Sequence, residues 1–173
     1  NVRINAQNIA KQAVEGLSQI ARENGETGWG VYGVELFVLK NGDLLFNELS
    51  PRPHDTGMVT MISQYCSEFA LHVLAILGVP ITQKHTDLCL KNNEVALSHA
   101  LVVEGNGKIG FTNVAKSLNT EDCARCDIRI FGKPEVHGSR RLGVILTVSN
   151  SVSDAKSCAT RIASELHTVE LPY

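Results

Sequence analysis

Apolar residues recur every three or four positions near the start of the chain, which is the spacing of one face of an α-helix. Asn5 precedes most of this pattern and suits the N-cap of the helix, while Asn24-Gly25 suits its end. The apolar positions that define the face are Ile9, Ala13, Leu17, Ile20 and Ala21. The pattern therefore predicts an amphipathic helix between these two signals.

Two extended runs follow, from Val31 to Lys40 and from Asp43 to Leu49, and both are rich in Val, Leu and Phe. They meet at Asn41-Gly42, the dipeptide that best tolerates a tight two-residue turn. We therefore expect a β-hairpin in which Lys40 faces Asp43.

The same register pairs Phe37 with Phe46 and Glu35 with Glu48, whose Cβ atoms would then lie roughly 5 Å apart. Like charges set opposite each other on a sheet are destabilising unless a positive charge lies between them. A divalent cation would supply that charge, and carboxylate oxygens favour magnesium. The alternative is a solvent-facing sheet on which two glutamates happen to pair.

The segment from Leu49 to Gly57 follows the second glutamate directly and concentrates polar chemistry. Two prolines stiffen its backbone, and it carries Arg52, His54 and Asp55. A substrate bound beside the cation would meet these side chains. The sequence leaves open whether His54 contacts a substrate or supports the loop.

A second helix is expected around Phe69 to Leu77, because Gly78 and Pro80 form a typical helix end. Residues 82–93 have mixed polarity and few periodic apolar positions, so we place a linker there. The positions of this helix expected to be buried are Phe69, Ala70, Val73, Leu74 and Leu77.

Alternating apolar residues after the linker indicate strands. The first runs from Val95 to Val103 and ends at a Gly105-Asn106-Gly107 turn, and the others are Ile128–Phe131 and Val144–Val148. The loop from Lys133 to Arg141 is expected to join the last two strands.

A final helix is expected after Ser151 or Ser153, either of which suits its N-cap. Its buried stripe is Ala155, Cys158, Ala159, Ile162, Ala163 and Leu166. The chain is therefore predicted to be α+β, with a first unit over residues 1–81 and a second over residues 94–173.

The predicted loop before the last strand is rich in positive charge. Arginine binds phosphate oxygens bidentately and lysine adds a point charge, so Lys133, Arg140 and Arg141 together could hold a phosphomonoester. The alternative is ordinary solvated surface charge. The glycines at 25, 28, 30 and 33 do not form a phosphate loop, because the element after them is a strand.

Composition narrows the class of protein. The 173 residues carry a formal charge of −2, which excludes a global basic field for nucleic acid or anionic membrane. No apolar run reaches the length of a membrane span, so a cytosolic protein is expected. Five cysteines without a framework pattern fit reduced thiols, and Cys123 and Cys126 lack the second pair that a zinc site needs.

These residues resemble the end of an ATP-grasp domain and, in detail, the formate-dependent phosphoribosylglycinamide formyltransferases. The resemblance covers nearly the whole chain and implies that the second unit is a small β-rich domain like a barrel-sandwich hybrid. The strings that carry it are Val34–Phe37, Glu48–Gly57, Ser67–Val73, Phe131–Glu135 and Gly138–Gly143.

The resemblance implies ATP- and formate-dependent formylation of glycinamide ribonucleotide through formyl phosphate, in purine synthesis. Glu35 and Glu48 would hold the Mg²⁺ that bridges the ATP phosphates, with ATP as co-substrate. Asp55 would hold the glycinamide group, with Arg52 and His54 beside it as catalytic residues. The residues implied to grip the other end of the ribonucleotide are Lys133, Arg140 and Arg141.

The chain begins with Asn1 instead of Met, and we expect a carboxy-terminal fragment. The family's amino-terminal domain and adenine-binding strands are not among these residues, so the fragment alone is expected to show no turnover. The resemblance implies a cytoplasmic homodimer at full length, acting on small molecules without nucleic acid or membrane partners.

Two alternatives stay open. The first is the sister carboxylating ATP-grasp enzyme of purine synthesis, a carboxyaminoimidazole ribonucleotide synthetase, although that family tends to carry an amide where this chain has Asp55. The second is a non-catalytic binding module that retained the fold. Ser50 is a departure, since many ATP-grasp enzymes have asparagine at that position.

Overall fold

The computed structural model of the protein describes residues 2–118 and 123–170, which divide into two compact units. Within these residues, the first unit comprises 2–57 and 66–86, and the second comprises 58–65, 87–118 and 123–170. The division is therefore not a single cut in the chain, since a short segment between the parts of the first unit packs with the second.

Helices and strands are mixed along the chain, as the predicted α+β class requires. The helices are α1 (Val2–Glu23), α2 (Thr60–Ser63), α3 (Glu68–Ile76), α4 (Gln83–Thr86), α5 (Val114–Leu118) and α6 (Val152–Glu165), with a 3-10 turn at Asp55–Gly57. The strands are β1 (Gly33–Val38), β2 (Leu44–Ser50), β3 (Val95–Thr112), β4 (Arg125–Ile130), β5 (Glu135–Ser149) and β6 (His167–Glu170).

The predicted first helix is confirmed as α1, but its start is not. The helix already includes Val2, so Asn5 lies inside it and the predicted N-cap is wrong. The predicted end is right, because α1 stops at Glu23 and Gly25 takes the left-handed φ of 82° that often follows a helix.

The hairpin of β1 and β2 forms, but with a longer turn than predicted. The Leu39 N–H donates to the Asp43 carbonyl at 2.8 Å, so the turn has three residues and Lys40 does not face Asp43. Gly42 adopts a φ of 89°, which suits the last position of a three-residue turn. The longer turn shifts the register, and Phe37 faces Leu45 instead of Phe46.

A β-bulge then restores the predicted register around the glutamates. Leu36 faces Phe46 while Glu35 faces Glu48, which leaves Asn47 as an extra residue in β2. The predicted pairing of Glu35 with Glu48 is therefore confirmed, although the turn that was expected to produce it is not the one that forms.

The second predicted helix is α3, and its boundaries agree with the prediction. Ser67 caps it by accepting a hydrogen bond from the Ala70 N–H, and it ends ahead of Gly78. The predicted burial is wrong, because Phe69 is 42% exposed and Leu77 is 70% exposed. Periodicity shows which side chains favour burial, but it does not supply the layer that would cover them.

The sheet of the second unit has the order β4-β5-β3-β6, and all its pairs are antiparallel. Strand β3 continues through Gly105–Gly107, so the predicted turn there is wrong. Strand β5 begins at Glu135, so most of the predicted loop before it is also strand. Both differences have one cause, since the ladder between β3 and β5 extends to the pair of Lys108 with Glu135.

Strand β5 is covered on both faces. On one face Ile145 packs with the apolar stripe of α6, and the predicted Ser151 cap is confirmed by its bond from the Asp154 N–H. On the other face Val144, Leu146 and Val148 pack around Ile62 of α2. This double burial explains the continuous apolar run that identified the strand in the sequence.

No helix in the described residues is both long enough and apolar enough to cross a membrane.

We expect Gly143→Ala to destabilise the second unit, because a Cβ there would lie 2.5 Å from the Arg129 carbonyl oxygen on β4. The free energy of unfolding should fall by about 1–3 kcal/mol, as measured by urea denaturation with far-UV circular dichroism.

Gly16→Ala in α1 is the matched control. No atom lies within 4 Å of the added Cβ, so this change should stabilise the protein by about 0.5–1 kcal/mol. A Gly143→Ala protein as stable as the wild type would contradict the packing of β4 against β5.

Candidate functional site

The candidate site is built on the bulge between β1 and β2. Glu35 is half-buried and Glu48 is exposed, and their backbones face each other across the hairpin. Asn47 Nδ2 donates to Glu35 Oε2 at 3.0 Å, and Ser50 Oγ donates to Glu48 Oε1 at 2.6 Å. Each carboxylate thus receives a neutral donor from β2, and within residues 2–118 and 123–170 no lysine or arginine pairs with either glutamate.

His54 brings the following loop against β1. Its side chain is 10% exposed and packs so closely on Gly33 that a Cβ at that glycine would lie 2.5 Å from the His54 Cβ. His54 Nε2 lies 3.4 Å from Glu35 Oε1, and Nδ1 lies 3.2 Å from Asp55 Oδ1 and 3.0 Å from Thr56 Oγ1. The imidazole therefore links the carboxylate on β1 to the carboxylate on the loop.

Glu35, His54 and Asp55 each offer one ligand atom, and these atoms all lie within 4.8 Å of one another. Two carboxylates and an imidazole suit a divalent cation, and Glu48, whose backbone faces that of Glu35, is not one of the three residues that form this group. The carboxylate oxygens are the kind of ligand that magnesium prefers, and the imidazole of His54 is a ligand that the predicted pair of Glu35 and Glu48 did not include. The structure groups His54 and Asp55 with Glu35. The sequence predicted Glu35 as a metal ligand and the other two as residues that act on the substrate.

Arg52 does not join this cluster. Its Nη1 donates to the Pro53 carbonyl at 3.0 Å, and the side chain is exposed. The guanidinium is therefore turned along its own loop.

Glu68, at the first position of α3, is a supporting residue that the sequence did not reveal. It is 5% exposed and accepts the His54 N–H at 2.9 Å through Oε2, and a Cβ at Gly57 would overlap that oxygen. Burial raises the pKa of the Glu68 carboxyl, while the His54 N–H and the His54 charge oppose that rise. An acidic residue just after a helix cap usually faces solvent, so its position gave no signal.

In the second unit, Lys133 lies just before β5, and Arg140 and Arg141 lie within it. Lys133 Nζ donates to the Arg141 carbonyl at 2.8 Å and lies 5.6 Å from the centre of the Phe131 ring. Arg140 Nη1 donates to the Glu135 carbonyl at 2.8 Å. The structure thus brings Lys133 to the backbone of Arg141, whereas the Arg140 guanidinium is bonded to a different part of the strand.

A third thiol accompanies the pair seen in the sequence. Cys158 of α6 is buried, and Cys123 and Cys126 pack against the same core cluster. Burial raises the pKa of Cys126, and burial together with Cys158 and Cys126 raises the pKa of Cys123. Cys126 Sγ donates to the Leu118 carbonyl, and the raised pKa values of Cys123 and Cys126 favour the protonated thiol at both positions.

Two family models match successive parts of this chain. Residues 1–69 match the family model described as ATP-grasp domain. Residues 96–166 match the model described as PurT, C-terminal.

A curated relative, the formate-dependent phosphoribosylglycinamide formyltransferase of Bifidobacterium adolescentis, is 56% identical over 161 residues, which are 93% of this chain and 40% of the relative. The chain therefore spans less than half of that protein's length.

Two solved structures share the fold. The N5-carboxyaminoimidazole ribonucleotide synthetase of Thermotoga maritima superposes with a TM-score of 0.72 and 27% identity, over 98% of this chain and 43% of its own. The glycinamide-RNase-transformylase T of Mycobacterium tuberculosis gives a TM-score of 0.62 and 26% identity, over 96% of this chain and 42% of its own. The likeness in both sequence and fold thus extends over nearly the whole chain.

We expect Glu68→Ala to cost about 1–3 kcal/mol of unfolding free energy, because it leaves the His54 N–H without its acceptor. Glu68→Gln is the matched control, since it keeps an acceptor and the side-chain shape. Trp29, the sole tryptophan, lies in the first unit, so its fluorescence during urea unfolding reports on this region.

The pH dependence of the unfolding free energy separates Glu68→Gln from the wild type. A carboxyl whose folded pKa is raised stabilises the fold most below its ordinary value of 4.5, and this contribution is lost as the pH rises through the folded pKa. Glu68→Gln should therefore gain stability relative to the wild type as the pH rises from about 4.5 to 7. A difference that does not change with pH would contradict the burial of the charge.

We also expect Cys123 and Cys126 to react slowly with iodoacetamide in the folded protein, because a raised pKa lowers the thiolate fraction. At pH 8 their alkylation, followed by peptide mass spectrometry, should be more than about tenfold slower than in guanidinium chloride. Equal rates in the folded and unfolded states would show that these thiols are not part of the core.

Proposed function

We propose that the chain belongs to an enzyme that formylates glycinamide ribonucleotide, because residues 1–69 match the ATP-grasp domain and residues 96–166 match the PurT carboxy-terminal domain. The observation that carries the proposal is the likeness to a formyltransferase over 93% of the chain, with facing Glu35 and Glu48 inside the matched segment. The activity is that of the full-length protein, in which ATP, formate and the ribonucleotide are substrates.

The chemistry explains why ATP is needed. Formate is a poor acyl donor because hydroxide is a poor leaving group. Transfer of the γ-phosphoryl group of ATP to formate gives ADP and formyl phosphate. The amine of glycinamide ribonucleotide then attacks the formyl carbon, the C–O bond to phosphate breaks, and the amine loses a proton as phosphate leaves.

Glu35 and Glu48 are the proposed ligands of Mg²⁺, which would offset negative charge on the phosphoryl group during transfer. The support is their pairing across β1 and β2 without a lysine or arginine partner in the described residues. The hydrogen bonds from Asn47 and Ser50 hold one oxygen of each carboxylate in place.

Asp55 is the proposed acceptor for the amine end of the ribonucleotide. Its support is the contact between Asp55 and His54. His54 packs on Gly33 and so holds the loop that carries the Asp55 carboxylate. His54 is proposed to orient Asp55 and Glu35 together. Arg52, which is exposed, is proposed to contact substrate phosphate or formate from the rim of the loop.

Lys133, Arg140 and Arg141 are the proposed ligands of the ribonucleotide phosphate. Binding energy at that end would orient the amine against the acyl phosphate. We further propose that residues 1–81 and 94–173 are the functional halves of the chain, and that the full-length enzyme is a cytoplasmic homodimer.

A second candidate is carboxylation of an aminoimidazole ribonucleotide. It is favoured by the fold likeness to the Thermotoga maritima synthetase. The two reactions share activation of a small acid by ATP and differ in the acid and in the amine. The higher identity to the named formyltransferase favours the first candidate.

We expect Asp55→Asn and Arg140→Ala each to weaken binding of glycinamide ribonucleotide to the full-length protein by about tenfold or more, because each removes a charge-assisted hydrogen bond. Isothermal titration calorimetry measures the dissociation constants.

Arg129→Ala is the matched control, because this arginine on the neighbouring strand β4 pairs with Asp127 and should leave binding unchanged. Unchanged binding in both test variants would remove the assignment of the substrate site. Turnover with bicarbonate and aminoimidazole ribonucleotide, but not with formate, would instead establish the second candidate.

A further inference from the structure

A β2 strand that was one residue shorter would bring the two glutamates together without a bulge. On the turn side of the bulge Leu36 faces Phe46, so the next position of a regular ladder, opposite Glu35, would go to the residue after Phe46. If Asn47 were absent, that residue would be Glu48. What the bulge contributes is therefore one extra side chain beside the pair.

That extra side chain has a defined partner. Asn47 Nδ2 lies 3.0 Å from Glu35 Oε2, while the other oxygen, Oε1, is the one that lies 3.4 Å from His54 Nε2. Asn47 is exposed, so packing does not account for its conformation. Bulges are found next to active sites, where they redirect a side chain.

The chemistry of the amide suits a carboxylate that must bind a cation. A lysine or arginine at this place would donate more strongly, but its charge would compete with the cation for Glu35. An aspartate would repel Glu35. A neutral amide fixes the rotation of the carboxylate and leaves its charge intact.

We propose that Asn47 is a positioning residue of the cation site, which holds Glu35 so that Oε1 faces the cluster formed with His54 and Asp55. The inference rests on the proposed role of Glu35 and Glu48 as cation ligands. It adds to that role the reason for the bulge, namely that the strand carries an extra residue to orient a ligand.

The test uses Mn²⁺ as the probe, titrated into the full-length protein with ADP and followed by electron paramagnetic resonance of free Mn²⁺. Asn47→Ala should raise the Mn²⁺ dissociation constant by about tenfold, the lower end of the effect expected for a group that orients a metal ligand. Asn47→Gln, which restores an amide donor, should recover part of the affinity. Activity of Asn47→Ala should return toward the wild-type level as Mg²⁺ is raised.

Asn41→Ala is the matched control, because Asn41 Nδ2 donates to the Asp43 carboxylate at 2.7 Å in the turn of the same hairpin. It should leave Mn²⁺ affinity unchanged. Equal losses in Asn41→Ala and Asn47→Ala would overturn the proposal by showing a general effect on the hairpin.

The remaining outcomes separate the positioning role from the cation site itself. Wild-type affinity in Asn47→Ala, together with lost affinity in Glu35→Gln, would overturn the positioning role and leave the proposed function standing. Wild-type affinity in both Glu35→Gln and Glu48→Gln would overturn the cation site and the inference with it.

Discussion

The pairing of Glu35 with Glu48 across β1 and β2 is the constraint on which the candidate site depends. Two carboxylates set opposite each other on a two-stranded sheet need neutral donors, a neighbouring imidazole or a cation to be tolerated. The structure supplies the first two, through Asn47 and Ser50 on β2 and through His54 on the following loop. A hairpin alone has little packing with which to offset such repulsion. This balance is the physical reason for which we propose the pair as a site.

The loop that brings His54 to the pair is held by backbone contacts. Glycine at 33 lets the imidazole lie against β1, and glycine at 57 lets the buried Glu68 reach the His54 N–H. Both contacts need the absence of a Cβ, so the chemistry of the site depends on residues that carry none. Through the His54 N–H, the buried Glu68 carboxyl thus helps to determine where the His54 imidazole lies.

The sequence predicted the helices and strands better than the contacts between them. The stripe of α6, its Ser151 cap and the pairing of Glu35 with Glu48 were all predicted, because periodicity and short-range spacing determine them. The pairing was nevertheless reached through the wrong turn. An Asn-Gly dipeptide suits turns of two or three residues, and the bulge at Asn47 cancelled the resulting shift.

Long-range contacts account for what sequence could not reveal. Glu68 and Cys158 approach their partners from helices distant in sequence, and their own neighbours gave no sign of it. The glycines at 105 and 107 suggested a turn because they flank Asn106, whereas pairing with β5 keeps them in a strand. The pairing of β3 with β5 also has a consequence for biosynthesis. Its partners range from Lys108 with Glu135 to Val95 with Ser149, so the ribosome must complete β5 before residues 95–108 of β3 find their partners. Until then a long strand edge stays uncovered, which makes the nascent chain vulnerable to aggregation at this step.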